Sequence, residues 1–328
     1  MSKEDLRCYI VNMLFFCVHS ALAADAQVGG AVDLVAGMNF QGQAAVGTFG
    51  LQQAEGDVKV GGPALNFEAQ LDVAATLSGD GLFVYSLAPE RLQVAGEGAG
   101  WRAWGGVFPA FFRLESVDPW RRQFVVGAMA TAHTPGAMLG GAAELGGPKG
   151  GVSLLLGVQP ATVDIFRFDE VGLGPLPFLA GARGRVMVNT VELAGGAWFG
   201  GGLGGLGFGG LEVATVADLG VVVPYGEVVT DLAASHAGFV GADLFPDAVV
   251  SPGARVELDS VRGFGVAVGA ASSLFEILRI KAEASYQAGA PGLYLEVAVH
   301  SKAPADDDRF GRPSPLPAPP KPSRKKKD

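Results

Sequence analysis

An all-β fold, a transmembrane antiparallel up-and-down β-barrel of about 14 strands, is predicted by three observations on this sequence. Period-two alternation of apolar and polar residues recurs from Ala31 to His300. Its clearest segments run to about 12 to 14 residues, against the five or six usual in water-soluble domains and the 9 to 11 that a tilted bilayer crossing needs. The chain is also apolar, with 49% hydrophobic residues and 50 glycines, behind a leader-like N-terminus. No stretch after that leader reads as a membrane-spanning helix: Leu193 to Leu211 is half glycine, and Gln123 to Ala143 is broken by Pro135 and Gly136. Without helices, a backbone satisfies its hydrogen bonds in lipid only by closing a sheet on itself.

The hairpin between Phe49 and Leu77 states the pattern most fully. Leu65, Phe67, Ala69, Leu71, Val73, Ala75 and Leu77 alternate with Asn66, Glu68, Gln70 and Asp72 in the first four gaps, which gives one dry and one wet face. The segment before it sets Gln53, Glu55, Asp57 and Lys59 against Ala54, Gly56, Val58 and Val60, with Gly61-Gly62-Pro63 between the two runs. Ala31 to Gln41 opens the series, and Arg91 to Glu97 with Trp101 to Val107 continues it around Gly98-Ala99-Gly100. The rhythm stops from Phe108 to Gly136, then resumes at Ala137 to Leu145 and Val152 to Val158. A second long loop, Gln159 to Pro177, carries Asp164, Arg167, Asp169 and Glu170. Further segments lie near Ala180 to Val188, Val191 to Phe199, Leu211 to Leu219, Glu227 to Ala234, Gly238 to Phe245, Val249 to Asp259, Gly263 to Ala271, Glu276 to Tyr286 and Leu293 to His300. Strands near glycine are hard to delimit, so 12 or 16 strands are almost as acceptable as 14.

Residues 1–23 are expected to be a signal peptide. Cys8 to Ala23 is mostly apolar, and Ala21-Leu22-Ala23 supplies the small residues a signal peptidase accepts before Ala24. An anchor helix is the alternative, but the run is shorter than the roughly 20 residues a span needs. Phe16 is too bulky for the residue before a lipidated Cys17. Both cysteines, Cys8 and Cys17, lie in this leader, so neither a disulfide framework nor a cysteine metal site is expected beyond it.

Residues 24–300 form the barrel, with 14 Lys and Arg against 27 Asp and Glu, a net charge of −13. Residues 301–328 carry 8 basic against 4 acidic residues, a net +4. An acidic body excludes nucleic acid as its natural ligand. The tail, with Asp306-Asp307-Asp308, seven prolines between Pro304 and Pro322, and Arg324-Lys325-Lys326-Lys327, cannot build a core and reads as disordered. In an even-stranded barrel it leaves on the periplasmic side. It is either a solvated end or a spacer whose cationic residues 321–328 touch cell-wall polymer or inner-leaflet phosphate.

Signals for chemistry are weak. Gly202-Leu203-Gly204-Gly205-Leu206-Gly207 matches a dinucleotide fingerprint by letter, but strand pattern comes after it instead of the helix the motif needs. Histidine is confined to His133, His236 and His300 after the leader, and no metal site or cofactor is expected. Asp231, Ser235 and His236 are close in sequence, but adjacent residues on a strand face opposite sides, which argues against a triad and against an enzyme. The charged insertion is the better candidate. Arg113, Glu115, Asp118, Arg121 and Arg122, with Arg102 before them, place both signs within short reach, as a pore constriction requires. The same charges could only solvate an outer loop or brace it. The wet faces are expected to line a lumen with Asp57, Glu68, Asp72, Glu257 and Glu283 against Lys59, Arg183, Arg185, Arg255 and Lys281.

Phe49-Gly50-Leu51-Gln52-Gln53-Ala54-Glu55, then Phe67 to Asp72, then Arg113-Leu114-Glu115-Ser116-Val117-Asp118-Pro119-Trp120 leading to the glycines near Gly136, resembles the second outer-membrane beta-barrel porin family. The resemblance covers Ala31 to about Leu156 and continues only as strand rhythm. It implies a barrel of the Gram-negative outer membrane acting as a passive channel, and it assigns no functional residue or substrate. The chain departs from such barrels in ending its last segment on Val299-His300 with a tail, rather than on a terminal aromatic, so assembly would read an internal signal around Gly292 to Val299.

The expectation is therefore a weakly cation-preferring channel for small hydrophilic solutes, in contact with outer-membrane lipid and able to form homo-oligomers. A barrel plugged by its insertions and tied to the wall by its tail is the second reading. A soluble secreted β-sandwich, with the dry faces pressed together, is the third.

Overall fold

The computed structural model describes residues 26–41, 44–62, 65–78, 83–112, 114, 123–130, 134–147, 149–158, 178–201, 208–231, 235–274 and 277–301. They form sixteen antiparallel strands in one closed barrel, each paired with its neighbours in sequence and the first with the last. The strands are β1 (Ala26–Gln41), β2 (Ala44–Gly62), β3 (Leu65–Ser78), β4 (Phe83–Gly98), β5 (Trp101–Pro109), β6 (Ala137–Gly147), β7 (Gly150–Val158) and β8 (Phe178–Val188). They continue as β9 (Val191–Gly201), β10 (Phe208–Ala217), β11 (Val222–Asp231), β12 (His236–Leu244), β13 (Val250–Asp259), β14 (Gly263–Leu274), β15 (Leu278–Gln287) and β16 (Ala290–His300). Every alternating segment of the sequence corresponds to one of them, so the count is sixteen, at the upper end of the expected range. The glycine-rich β6 and β9 offer few side chains to mark alternation, yet each completes two full ladders.

Closure runs from Ala31 opposite His300 to Asn39 opposite Gly292. Beyond the last strand, the Ser301 N–H donates to the Gly30 carbonyl at 2.8 Å and the Gly30 N–H donates to the Ser301 Oγ at 2.8 Å, which pins the seam. With an even strand number, Ala26 and Ser301 leave at the same end. The connections at that end are short, including Asn189-Thr190, whereas the two longest, 110–136 and 159–177, leave from the other.

Two faces separate along each strand. Outward positions carry exposed apolar residues, among them Leu65, Phe67, Leu71 and Val73 on β3 and Leu211 and Val213 on β10. Exposed aromatics gather near both rims: Phe49, Phe178, Phe199, Phe264 and Tyr286 toward the long-loop end, Phe67, Trp101 and Phe245 toward the other. Aromatic belts flanking an apolar band are what a bilayer's two interfaces select. Exposing this surface to water would forfeit about 25 cal/mol for each Å² of it. The dry faces point outward and do not meet in a sandwich, which removes the sandwich reading.

Irregularities in β2 and β4 explain why the alternation blurs there. Gln52 has no partner in the β1–β2 ladder, where Asp33 faces Gln53 and Leu34 faces Leu51. This bulge flips the parity, so Phe49 points outward before it and Val58 after it. A second bulge lies where Gln70 faces Arg91 and Leu71 faces Pro89, and proline tolerates that break because it has no N–H to lose from the ladder.

Candidate functional site

The segment joining β5 to β6 does not stand outside the barrel; its described part folds into the lumen. Its base is closed by the Ala110 N–H, which donates to the Gly136 carbonyl at 3.0 Å. From there a chain of aromatic contacts leads inward. Trp104 meets Phe108 and Phe111 edge-on at 6.1 and 6.4 Å, Phe111 meets Phe112 at 5.0 Å, and Phe112 meets Trp198 of β9 at 5.1 Å. Phe112 is fully buried. It fits because Gly181 on β8 and Gly196 on β9 lack side chains: a Cβ on Gly196 would lie 2.9 Å from the ring, and one on Gly181 closer still. Each such aromatic pair contributes about 0.5 to 1.5 kcal/mol beyond the area it buries.

Wall carboxylates then hold the segment by its backbone. The Leu114 N–H donates to Glu227 Oε2 at 3.2 Å, Val126 to Glu283 Oε2 at 3.0 Å and Met129 to Glu257 Oε2 at 2.6 Å. Charged acceptors make such bonds roughly twice as strong as neutral ones. Gln123 Nε2 donates to the Ser251 carbonyl at 2.8 Å and Gln287 Nε2 to Glu257 Oε1 at 2.8 Å. Arg255, itself fully buried, ties the arrangement together. Its Nε donates to Glu257 Oε1 at 2.6 Å, another guanidinium N–H reaches the Val126 carbonyl at 2.8 Å, and its plane lies 4.8 Å from the centre of the Phe124 ring. The described residues of the segment thus meet β8 and β9, then β11, then β13 and β15.

Of the residues singled out in this segment, Arg113, Glu115, Asp118, Arg121 and Arg122 lie outside the described residues. Their flanks are placed: Leu114 sits at β11 and Gln123 at β13, both buried inside the barrel. Arg102 is elsewhere. It stands one residue into β5, at the short-turn end, and forms a two-point pair with Glu97 across the Ala99-Gly100 turn at 3.0 and 3.1 Å. It does not join the inserted segment, because β5 must climb from Arg102 to Pro109 before that segment begins.

The ten residues expected on the lumen face have these surroundings. Lys59 pairs with Glu68 at 2.9 Å, Arg183 with Glu212 at 2.8 Å, Arg185 with Glu144 at 3.0 Å and Arg255 with Glu257 at 2.6 Å. Lys281 pairs with Glu296, Glu283 holds Val126, and Asp57 and Asp72 are half-buried on the same face of β2 and β3 as Lys59 and Glu68. Several partners were not singled out from the sequence: Glu144, Glu212, Glu227 and Glu296 are all buried carboxylates on inward positions. The available signal was a lone acidic residue in an otherwise apolar or glycine-rich strand, as Glu144 is in β6 and Glu212 in β10.

Two weaker motifs take structural roles. Asp231 Oδ1 accepts the Ser235 N–H at 2.9 Å, which braces the β11–β12 turn, and the His236 N–H donates to Ser260 Oγ at 2.9 Å. The glycines 202–207 lie outside the described residues, and the next element along the chain is β10, a strand and not a phosphate-receiving helix. The signal segment 1–23, the loop 159–177, His133 and the tail 302–328 also lie outside the described residues.

No family model and no curated protein matches this sequence. Solved structures do. A loop-deletion mutant of OmpT, an outer membrane protein of Vibrio cholerae, superposes with a TM-score of 0.60 at 11% identity, over 85% of this chain and 100% of that one. OprB of Pseudomonas putida gives 0.59 at 9% identity, over 86% and 95%. An anion-selective porin from Comamonas acidovorans gives 0.57 at 11% identity, over 85% and 100%. The chain has the fold of outer-membrane porins, as its resemblance implied; identities this low speak to fold alone.

Proposed function

We propose that this chain is a porin-like channel of the outer membrane, passive, non-enzymatic and open to small hydrophilic solutes with a weak preference for cations. The observation that carries the reading is the inserted segment: a barrel lined with charged side chains is narrowed from inside by a strap fixed to its wall through Glu227, Glu257 and Glu283. A strap fixed to the wall would narrow an open lumen, and facing charges at a constriction select and orient small ions. In sequence, Arg113, Glu115, Asp118, Arg121 and Arg122 fall between Phe112 and Gln123, both of which the strap buries, and Arg102 belongs to the short-turn mouth. The net charge of −13 over residues 24–300 supports the sign of the preference. Export through residues 1–23, a periplasmic tail from residue 301 and association of barrels into homo-oligomers complete the proposal.

Planar-bilayer recording of the purified, refolded protein tests it. Discrete conductance steps with a potassium-to-chloride permeability ratio modestly above one are expected; the absence of steps, or firm chloride preference, refutes it. Reversing Glu115 and Asp118 together lowers that ratio if the strap's charges face the solute.

One observation favours a second reading, a closed structural barrel tied to the cell wall. The strap's apolar residues Phe112, Leu114, Phe124 and Ala128 pack with inward residues of the wall, Leu179, Trp198 and Val229 among them, into a continuous buried core. On that reading, deletion of residues 302–328 abolishes wall association while conductance is absent both before and after.

A further inference from the structure

Near the short-turn mouth, the inward face of β3 to β5 holds two buried amide oxygens that the fold leaves without donors, beside a half-buried tryptophan. Ala95 stands at the centre of this patch. Gln93 and Glu97 lie two positions from it on β4, Asn66 faces it from β3, and Trp104 faces it from β5. Residues i and i+2 share a face of a sheet and adjacent strands lie about 4.8 Å apart, so the backbones at Asn66 and Trp104 are about 10 Å apart with only a methyl group between them. On the far side of Trp104 the facing residue is again an alanine, Ala142. Phe108 and Phe111 meet the indole edge-on, at 80° and 72°, so neither ring lies flat against it, and part of its surface stays open.

Asn66 and Gln93 are only 6% and 8% exposed, and Asn66 Oδ1 and Gln93 Oε1 accept no hydrogen bond from any described residue. Buried amide oxygens seldom go without a donor. Gln93 is oriented by its own amide, whose Nε2 donates to Glu68 Oε2 at 2.7 Å, so its oxygen cannot be exchanged for the donor. The charges around the patch are matched: Glu68 pairs with Lys59 at 2.9 Å and Glu97 with Arg102 at 3.0 Å, and these four side chains keep between 15% and 28% of their surface. What the patch lacks is proton donors, not charge. An inorganic ion would leave the indole unused, and an ammonium group would meet carboxylates that already have counter-charges. A ligand that satisfies each part is uncharged, carries several O–H groups and offers an apolar face to an aromatic ring. A hexopyranose has that chemistry, with C–H groups on a ring face and hydroxyls around its edge.

Resting on the channel reading, we infer that the short-turn mouth carries a sugar subsite, in which a neutral hexopyranose lays one ring face on Trp104 and gives hydroxyl protons to Asn66 Oδ1 and Gln93 Oε1. The small solutes admitted by the channel then include simple sugars, held briefly at this wall as they pass.

Saturation-transfer NMR tests the subsite on the full chain refolded into micelles of a detergent without a sugar headgroup. D-glucose is the probe, and sorbitol, an open-chain hexitol without a ring face, is its control. With aromatic protons irradiated, glucose signals should be at least about fivefold stronger than those of sorbitol, since only the ring can lie on the indole. Trp104→Ala should remove most of the glucose signal, whereas Trp101→Ala, at an exposed outward position, should leave it at the parent's strength. Asn66→Ala takes away one acceptor and should weaken glucose affinity by about threefold to tenfold, the scale of one hydrogen bond. Folding of each variant is checked by heat-modifiable migration, and Asn66→Ala keeps the test decisive should Trp104→Ala fail to fold. Equal signals from glucose and sorbitol, an unchanged signal in folded Trp104→Ala, or unchanged affinity in Asn66→Ala overturns the subsite. Planar-bilayer recording separates this inference from the reading beneath it. Conductance steps without glucose binding overturn the subsite and leave the channel standing, whereas glucose binding without steps overturns the channel and leaves the site standing.

Discussion

Arg255 shows how a single residue couples barrel and strap. Fully buried, it sits two positions from Glu257 on β13 and reaches both that carboxylate and the Val126 carbonyl. Its plane is also within 4.8 Å of the Phe124 ring centre and 5.9 Å of the Phe239 ring centre. A buried ion pair is weak evidence of stability in itself, because desolvation offsets much of the attraction. Removing one partner is different, since the carboxylate left behind keeps its desolvation cost without its counter-charge. Arg255→Ala is therefore expected to cost about 3 to 5 kcal/mol, read as a lowered urea midpoint of the protein in detergent micelles. Val256→Ala, one residue away on the lipid face, should cost under about 1 kcal/mol, because in a micelle the shortened side chain trades protein-lipid contact for lipid-lipid contact. Equal losses for the two would show that Arg255 bears no special load.

At the scale of elements, the strap between β5 and β6 departs from the up-and-down repetition. Its entry is set by Phe108, Phe111 and Phe112, and its seat by the missing side chains of Gly181 and Gly196. Phe112→Ala empties a fully buried site, with a cost of about 3 to 5 kcal/mol where the neighbours cannot collapse. The loss is expected to appear in the strap more than in the ladders, because no strand hydrogen bond depends on the ring. Single-channel recording should then show larger or noisier conductance steps while heat-modifiable migration stays normal. Steps identical to those of the parent protein would mean that the aromatic seat does not govern the width of the lumen.

The whole molecule is defined by its seam. Ladder pairing ends at Ala31 and His300, and the hydrogen bonds between Ser301 and Gly30 lie one step past it. Nothing beyond Ser301 is needed to satisfy the backbone of β16. A chain truncated after Ser301 should accordingly fold and migrate as the parent does; failure to fold would assign residues 302–328 a part in assembly. Conduction in the truncated protein should also persist, whereas loss of wall association on truncation would support the tether reading of the basic residues 321–328. Placement of both ends on the short-turn side results from the even strand number, so any partner of the tail meets it on the side where the N-terminus enters the barrel.

Strand type and the two faces are legible in the residues alone, because side-chain alternation is a local property: Leu65 to Leu77 and Leu278 to Tyr286 read the same way in isolation as in the barrel. The sequence marked all sixteen segments but not their number with certainty, since Leu139-Gly140-Gly141 and Ala194-Gly195-Gly196 carry too little side chain to declare a face. It also marked the interruption from Phe108 to Gly136, whose aromatic density distinguishes it from an ordinary polar loop. That the described part of this interruption turns inward emerges only once the barrel has closed. Its anchors are Glu227, Glu257 and Glu283, over 90 residues distant in sequence, and no local pattern pairs a backbone N–H with a carboxylate that far along the chain. The same holds for Arg102, which proximity in sequence joined to the strap's charges and strand geometry carried to the opposite mouth. Closing a sheet brings distant faces around a shared interior, and which inward side chains meet water there depends on what else fills it.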